Sequence, residues 1–229
     1  MKPEETEVWE PVPPVVSPGN ALNPPDDAVI LFDGKDMSAW DIPSNTQWNV
    51  EDGVVTIAPS RERQEKPVWI FSKASFGDIQ LHVEWRSPEK VEGEGQRRGN
   101  SGIFLPGKYE IQVLDSYRNH TYVNGQCASI YKQTPPLVNA CRKPGEWQTY
   151  DIIFKAPRFL QDGRLESAAR VTVIHNGVLV QNHTEIKGAT TFIGHPKYVP
   201  HPLMQPIGLQ DHGDAVSFRN IWLRALSPI

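Results

Sequence analysis

Three stretches of the sequence place acidic, amide and basic side chains at every second position, the spacing that puts them on one face of a β-strand. These residues are His82, Glu84 and Arg86 in 81–86, Glu110 and Gln112 in 109–113, and Gln210 and His212 in 207–212. Such groups donate and accept hydrogen bonds in fixed directions, so neighbouring strands of this kind predict a polar floor for a polyhydroxylated ligand. The alternative is an ordinary solvated face, which the agreement of three strands makes the weaker interpretation.

The sequence offers few carboxylates that could act as a catalytic pair. Most glycosidases use two of them, ~5–5.5 Å apart in retaining enzymes and ~6.5–9.5 Å apart in inverting enzymes. In the strand that carries Glu110 the next residue in phase is Gln112, and Asp115 is out of phase unless a bulge intervenes. A two-carboxylate site is therefore incomplete on this strand. Glu84, from a neighbouring strand, is the candidate that would complete it.

Composition excludes several classes of protein. The 23 Lys and Arg against 27 Asp and Glu leave a net charge of -4, which argues against a nucleic-acid-binding surface. No run of 18 apolar residues occurs, so the sequence predicts no membrane span. The 21 prolines and 17 glycines suit short strands joined by turns. The oligomeric state is left open.

The elements that must position these residues are strands, because apolar alternation is interrupted by turn residues every 8–12 positions from residue 28 onward. Asn176-Gly177 predicts a two-residue hairpin turn. So many antiparallel strands cannot lie in one open sheet, so we expect an all-β, two-sheet antiparallel jelly-roll sandwich. The predicted strands are 29–32, 48–51, 54–58, 68–72, 79–86, 102–105, 109–114, 128–131, 147–155, 169–175, 178–185, 206–210 and 216–224.

The first 27 residues predict a Pro-rich tether, and 28–229 predict a single domain. A tether without a signal peptide in front of it favours a trimmed periplasmic, secreted or lipoprotein-tethered protein over an intracellular tail. Cys127 and Cys141 are the two cysteines. They are interpreted either as a disulfide or as two independent small thiols.

Four segments in order resemble the 3-keto-disaccharide hydrolase domain family, a concanavalin A/laminarin-lectin-like jelly roll. They cover about residues 28–226, and they are LFDGKDMSAW at 31–40, NSGIF at 100–104 running into YEIQVLDS at 109–116, GEWQTYD at 145–151 with the hairpin that follows, and PIGLQDHG at 206–213 with FRNIW at 218–222. The resemblance implies a carbohydrate substrate, a glycoside oxidised at carbon 3. A ketone there acidifies the proton on carbon 2, so a base, an acid and a donor to the enolate oxygen suffice.

Under this resemblance Glu110 is the candidate base or acid and His212 its complement, since imidazole transfers protons in either direction near neutral pH. The candidate substrate-binding residues are Glu84, Arg98, Asn100, Gln112, Lys132 and Gln210. No cofactor and no metal ligand is assigned, although jelly rolls of this kind sometimes hold a structural calcium ion in their loops.

Three functions follow in order of preference. The first is cleavage of 3-keto-glycosides by elimination, with or without rehydration. The second is a non-catalytic carbohydrate-binding module, because fold does not determine function. The third is an ordinary two-carboxylate glycoside hydrolase, which requires a second carboxylate within reach of Glu110.

Overall fold

The computed structural model describes residues 1–20, 23–106 and 108–226, and its regular elements are almost all antiparallel strands. A five-residue helix, α1 (Arg61–Glu65), and three short 3-10 turns (Pro3–Thr6, Gly95–Arg97 and Val123–Gly125) are the helical elements of this part of the chain. The strands are β1 (Val29–Phe32), β2 (Trp40–Asp41), β3 (Trp48–Glu51), β4 (Val54–Ile57), β5 (Val68–Phe76), β6 (Ile79–Arg86), β7 (Ser101–Leu105), β8 (Tyr109–Val113), β9 (Gln148–Lys155), β10 (Arg158–Phe159), β11 (Leu165–Ser167), β12 (Arg170–His175), β13 (Val178–Glu185), β14 (Gln205–Asp211) and β15 (Ser217–Ala225).

Two large sheets form the predicted jelly-roll sandwich. The eight-stranded sheet has the order β13-β12-β9-β6-β15-β4-β3, with β1 paired to β15, and the five-stranded sheet has the order β2-β5-β14-β7-β8. Strands β10 and β11 form a separate two-stranded ribbon. Glu84 lies on β6, in the middle of the eight-stranded sheet, and Glu110 lies on β8, at the edge of the five-stranded sheet, so the two residues belong to different sheets.

The core lies between the sheets because each strand alternates its side chains. In β6 the residues Leu81, Val83 and Trp85 are fully buried, and in β8 the inward residues are Ile111 and Val113. These residues belong to one hydrophobic cluster that both sheets share. The residues between them consequently point to the outer faces of the sandwich.

Most predicted strands are confirmed, and the Asn176-Gly177 hairpin is confirmed with φ values of 52° and 81° at the two turn residues. The strand predicted at 128–131 is wrong, because Ala128 has a φ of 64°, a left-handed value that interrupts extended backbone. Only isolated bridges of Ile130 remain in this segment. Strands β2, β10 and β11 and helix α1 are too short for their periodicity to have predicted them.

Residues 1–20 of the N-terminal segment are almost all exposed, and Asp27 binds the guanidinium of Arg224 through both carboxylate oxygens, at 2.7 and 2.9 Å from Nε. The division into a tether (1–27) and a domain (28–229) stays a prediction. Residues 21, 22, 107 and 227–229 of these ranges lie outside the described residues. No helix in the described part of the chain is long and apolar enough to cross a membrane.

The two cysteines are neighbours in space. Both are free thiols, Cys127 buried and Cys141 half-buried. A hydrogen bond with Cys141, together with burial, raises the pKa of the Cys127 thiol. The disulfide stays a prediction for an oxidising compartment.

Candidate functional site

A cleft of about 670 Å³ lies on the outer face of the five-stranded sheet. Its volume falls within the ~300–1,000 Å³ range of small-molecule sites. Six of the eight predicted site residues line it, namely Asn100, Glu110, Gln112, Lys132, Gln210 and His212. The polar faces of β8 and β14 therefore line one cleft, and the role of these side chains in binding or catalysis stays a prediction.

Glu110 lies at the bottom of the cleft, with only 3% of its surface exposed. Its carboxylate occupies the space above Gly102 of β7, where an added Cβ atom would lie 2.5 Å from Glu110 Oε1. Two other segments form hydrogen bonds with the backbone of Glu110. Tyr131 N donates to Glu110 O at 3.1 Å, and Glu110 N donates to Thr190 Oγ1 at 2.9 Å. Burial raises the pKa of Glu110 to about 8, so the carboxyl group is mostly protonated at neutral pH.

Gln112 connects Glu110 to the polar side of the floor. Its amide nitrogen donates to Asn100 Oδ1 at 3.2 Å and to Gln96 Oε1 at 3.1 Å. If the amide is turned over, its nitrogen donates to Glu110 Oε1 at 3.1 Å instead. The amide can therefore accept a hydrogen bond from a protonated Glu110 in one orientation and donate to an ionised Glu110 in the other.

His212 follows the last residue of β14 and reaches the cleft from the strand next to β7. The turn after it is fixed by Asp211, a fully buried carboxylate that binds Arg63 Nε at 2.5 Å and accepts from Gly213 N at 2.8 Å. Gly213 has a φ of 80°, and a Cβ atom there would lie 2.1 Å from Ser60 O, so only glycine fits. Burial lowers the pKa of His212, which keeps its imidazole neutral at physiological pH.

Aromatic side chains that the sequence analysis did not select form the remaining walls. Trp69 and Phe104 meet edge to face, with ring centroids 5.9 Å apart, on β5 and β7. Tyr122, Tyr131 and Phe192 line the cleft together with Lys132. Alternation could have indicated Trp69 and Phe104, whereas Phe192 lies in the long β13–β14 connection and carried no such signal.

The prediction that Glu84 lines this cleft is wrong, because β6 belongs to the eight-stranded sheet. Glu84 lies on the opposite outer face, where it binds Arg219 Nε at 2.7 Å and Asn220 Nδ2 at 2.9 Å. Burial raises the pKa of Glu84, but hydrogen bonds from His82, Asn220 and Arg219 outweigh that effect and bring it to about 2. Glu84 is thus a paired structural carboxylate.

Arg98 is also outside the cleft, contrary to the prediction. It precedes β7, and its Nε donates to Asp115 Oδ2 at 2.5 Å while its terminal nitrogen donates to Tyr117 O at 3.0 Å. The two side chains line a separate, smaller cavity of about 240 Å³. Asp115, out of phase with Glu110 as expected, neutralises Arg98 and holds it away from the cleft.

The second carboxylate in the cleft is Glu65, an exposed residue at the end of α1. Among the described residues that line the cleft, Glu65 and Glu110 are the carboxylic acids. Gln96 and Arg97 also line it, although the sequence analysis selected neither. A helix of five residues gave too little periodicity to place Glu65 from the sequence.

The described residues contain no group of three or more His, Cys, Asp or Glu side chains that is arranged to hold a metal ion. The calcium ion considered above has no assigned ligands here either.

Three comparisons bear on this site. The sequence profile of the 3-keto-alpha-glucoside-1,2-lyase-like domain matches residues 27–224. The chain is 26% identical over 246 residues to a 3-keto-disaccharide hydrolase of Bacteroides thetaiotaomicron, covering 88% of this chain and 79% of that protein. It is also similar to a protein of Parabacteroides distasonis ATCC 8503 whose crystal structure is described as that of a glycosyl hydrolase, an assignment that is provisional. The two chains are 52% identical and superpose with a TM-score of 0.91, over 99% of this chain and 97% of that one. A second structure from that organism, described in the same terms, shares the fold at a TM-score of 0.62 and 18% identity, covering 87% of this chain and 94% of the other.

Proposed function

The chain belongs to the 3-keto-alpha-glucoside-1,2-lyase-like domain family, and we propose that it cleaves the glycosidic bond of 3-keto-glycosides by elimination. The observation that carries the proposal is the presence in one cleft of a buried carboxyl group, Glu110, and a half-buried imidazole, His212. Burial raises the pKa of Glu110 and lowers the pKa of His212. Such pairs define acid and base assignments.

His212 is the base in this proposal, because a neutral imidazole can accept a proton at physiological pH. It removes the proton from carbon 2 of the sugar. The electron pair moves to the carbon 3 ketone, forming an enolate. Glu110, protonated at neutral pH, is the acid.

The second half of the reaction breaks the bond between carbon 1 and the glycosidic oxygen. The enolate electrons return to form the carbon 1–carbon 2 double bond, and Glu110 gives its proton to the departing oxygen. The products are a free alcohol and an unsaturated 3-keto sugar. Addition of one water molecule across the double bond then yields 3-keto-glucose, so the net result equals hydrolysis.

Amide groups on the floor supply the donors for the enolate oxygen and the hydroxyls. Gln210 has no side-chain hydrogen bond to another described residue, so its amide is free for a sugar hydroxyl. Asn100 and Gln112 already bond to each other and stiffen the floor. Preorganised donors of this kind stabilise developing negative charge without reorganisation.

An ordinary two-carboxylate hydrolase is the second candidate, and Glu65 is the observation that favours it. This exposed carboxylate takes the place that had been assigned to Glu84. The experiment therefore includes Glu65→Gln. Glu62→Gln is its matched control, because Glu62 lies on the same helix, is exposed, and does not line the cleft.

The test compares a glucoside with its 3-keto derivative, each incubated with wild type, Glu110→Gln, His212→Gln and Glu65→Gln. We expect cleavage of the 3-keto-glucoside only, and losses of about 10²–10⁴-fold in turnover for Glu110→Gln and His212→Gln with substrate binding largely kept. In deuterated water, 3-keto-glucose formed by rehydration should carry deuterium at carbon 2. A control without enzyme measures spontaneous exchange.

Two results would reject the elimination. One is cleavage of the parent glucoside at a comparable rate, and the other is hydrated product without deuterium at carbon 2. Equal losses in Glu65→Gln and Glu110→Gln, with Glu62→Gln unaffected, would support the two-carboxylate hydrolase. Binding of both sugars without cleavage of either would support a carbohydrate-binding module.

A further inference from the structure

One side of the cleft mouth is formed by an aromatic rim, defined here as Tyr122, Tyr131, Phe192 and Lys132. Phe192 is 70% exposed and Tyr122 is 40% exposed, although both line the cleft. Val123, beside Tyr122, is 63% exposed. Exposed apolar groups that continue into a cleft mark a binding surface rather than a random feature of the protein surface.

The polar atoms of this rim are already paired with one another. The hydroxyl groups of Tyr122 and Tyr131 share a hydrogen bond of 2.8 Å. Lys132 Nζ donates to Phe192 O at 2.7 Å and lies 4.1 Å from the centroid of the Phe192 ring. The ammonium group is also 5.7 and 5.9 Å from the rings of Tyr122 and Tyr131, so three rings surround it.

The backbone holds this arrangement in place. Lys132 has a φ of 56°, a left-handed value that is uncommon for a residue with a long side chain. Its amide donates to Asn124 O at 2.8 Å, which joins it to the segment that carries Tyr122. Gln133 fixes the start of the β13–β14 connection by donating to Gly188 O at 2.9 Å and accepting from Lys187 N at 2.7 Å.

The floor differs from the rim in its free bonding capacity. On the floor the Gln210 amide has no side-chain partner among the described residues and is available to a hydroxyl group. On the rim each polar side chain already has one partner, and the larger exposed surface is that of the Phe192 and Tyr122 rings. A site built mainly for hydroxyl groups offers them unpaired amides, whereas the rim offers ring faces, with one tyrosine O–H and two N–H groups of Lys132 beside them.

We infer that the aromatic rim is the subsite for the leaving group, and that it takes an aromatic or otherwise apolar aglycone in preference to a second sugar. This inference rests on the proposed function, because the floor is assigned to the 3-keto sugar. Stacking on Phe192 and Tyr122 would supply the binding energy. Released leaving groups would accordingly be apolar alcohols.

The test uses two substrates with the same 3-keto-glucosyl group and the same anomeric configuration, one with a benzyl aglycone and one with glucose as the leaving group. Benzyl alcohol is a weaker acid than a sugar hydroxyl, so a preference for the benzyl substrate cannot come from easier departure. We expect kcat/KM to be at least about 10-fold higher for the benzyl substrate. Phe192→Ala should lower that value by about 3- to 10-fold, the range of an aromatic contact, and lower the value for the disaccharide by clearly less, because glucose in the same subsite would contact the ring more weakly.

Ile193→Ala is the matched control, because Ile193 is the next residue on the same loop, is 85% exposed, and does not line the cleft. It should change neither substrate. Equal or better cleavage of the disaccharide, or an equal loss on both substrates in Phe192→Ala, would overturn the inference.

A binding measurement separates the inference from the proposed function. Unoxidised benzyl glucoside, which the elimination cannot cleave, is titrated into wild type and Phe192→Ala by calorimetry. If neither 3-keto substrate is cleaved, the proposed function fails, but weaker binding of benzyl glucoside to Phe192→Ala still supports the subsite. Equal binding to both proteins would overturn it.

Discussion

Replacing the buried acid Glu110 with glutamine should stabilise the protein above neutral pH while it removes activity. Burial raises the pKa of Glu110 to about 8, against 4.5 for an ordinary glutamate. The unfolded chain therefore loses this proton near pH 4.5, whereas the folded chain holds it until about pH 8. Between these two values the free energy of unfolding falls as the pH rises, because the deprotonated unfolded state is increasingly favoured.

The size of the effect follows from the difference of the two pKa values. Each pKa unit corresponds to about 1.36 kcal/mol, so the full difference is worth about 5 kcal/mol above pH 8 as an upper limit. Below pH 4.5 both states are protonated and the contribution to folding stability is fully present. It is lost progressively as the pH rises through the folded value. Glutamine has the same size and does not titrate, so Glu110→Gln avoids this loss.

The assay is chemical unfolding of wild type and Glu110→Gln at pH 5 and pH 8.5. We expect a small difference at pH 5 and a stability gain of a few kcal/mol for the variant at pH 8.5. Thermal unfolding should show the same trend, at roughly 2–4 °C per kcal/mol for a chain of this size. Other titrating groups, including His82, occur in both proteins and cancel in the difference. An equal difference at the two pH values would refute the assignment of Glu110 as a buried acid.

Three further outcomes are expected. Gly102→Ala should reduce turnover of the 3-keto-glucoside by about 10²-fold or more, because the added Cβ atom would lie 2.5 Å from Glu110 Oε1 and displace the carboxylate. Unchanged turnover would contradict the placement of the carboxylate. Glu84→Gln should keep activity but lower the free energy of unfolding by about 1–3 kcal/mol at pH 7, because the pKa of Glu84 is held at about 2 in the folded protein. Denaturant titration should show this difference shrinking as the pH falls through 4.5 toward 2. Loss of activity in this variant would return Glu84 to the site. The pH profile of kcat/KM should fall above about pH 8, where Glu110 ionises. It should also fall on the acid side, below the range in which an ordinary imidazole titrates, because burial lowers the pKa of His212. A profile that rises through pH 8 would make Glu110 the base.

The fold could be predicted from the sequence because it depends on alternation, which is a local signal. Leu81, Val83 and Trp85 are buried as their spacing indicates, and Asn176-Gly177 turns where its conformational preference indicates. The site required more, since alternation tells which residues leave the core but not which of the two outer faces they reach. Glu84 and Glu110 have the same local pattern, yet their strands lie in different sheets.

The segments between strands carried the least information. Tyr131 is the last residue of the strand predicted at 128–131, Lys132 follows it directly, and Phe192 lies in a connection with no periodic pattern. Their position depends on long-range hydrogen bonds, such as that of Lys132 Nζ with Phe192 O, between residues 60 positions apart. No window of sequence contains both partners, so pattern analysis could not place Phe192 at the cleft, and Lys132 became a candidate through the family resemblance.

The two outer faces show how the same residue types serve different purposes. On the eight-stranded sheet, His82 binds Asp151 at 2.7 Å and Glu84 binds Arg219 at 2.7 Å, so each charge has an opposite charge beside it. Burial lowers the pKa of His82, but the hydrogen bonds to Asp151 and Glu84 outweigh it and raise that value to about 9. On the five-stranded sheet, Glu110 has no cationic partner among the described residues, and burial alone raises its pKa. A carboxyl group that is buried without a counter-charge costs folding free energy, as the Glu110→Gln experiment measures. Such a cost is expected where a protonated acid is required at neutral pH, and it favours the cleft, rather than the more highly charged opposite face, for the proposed proton transfer.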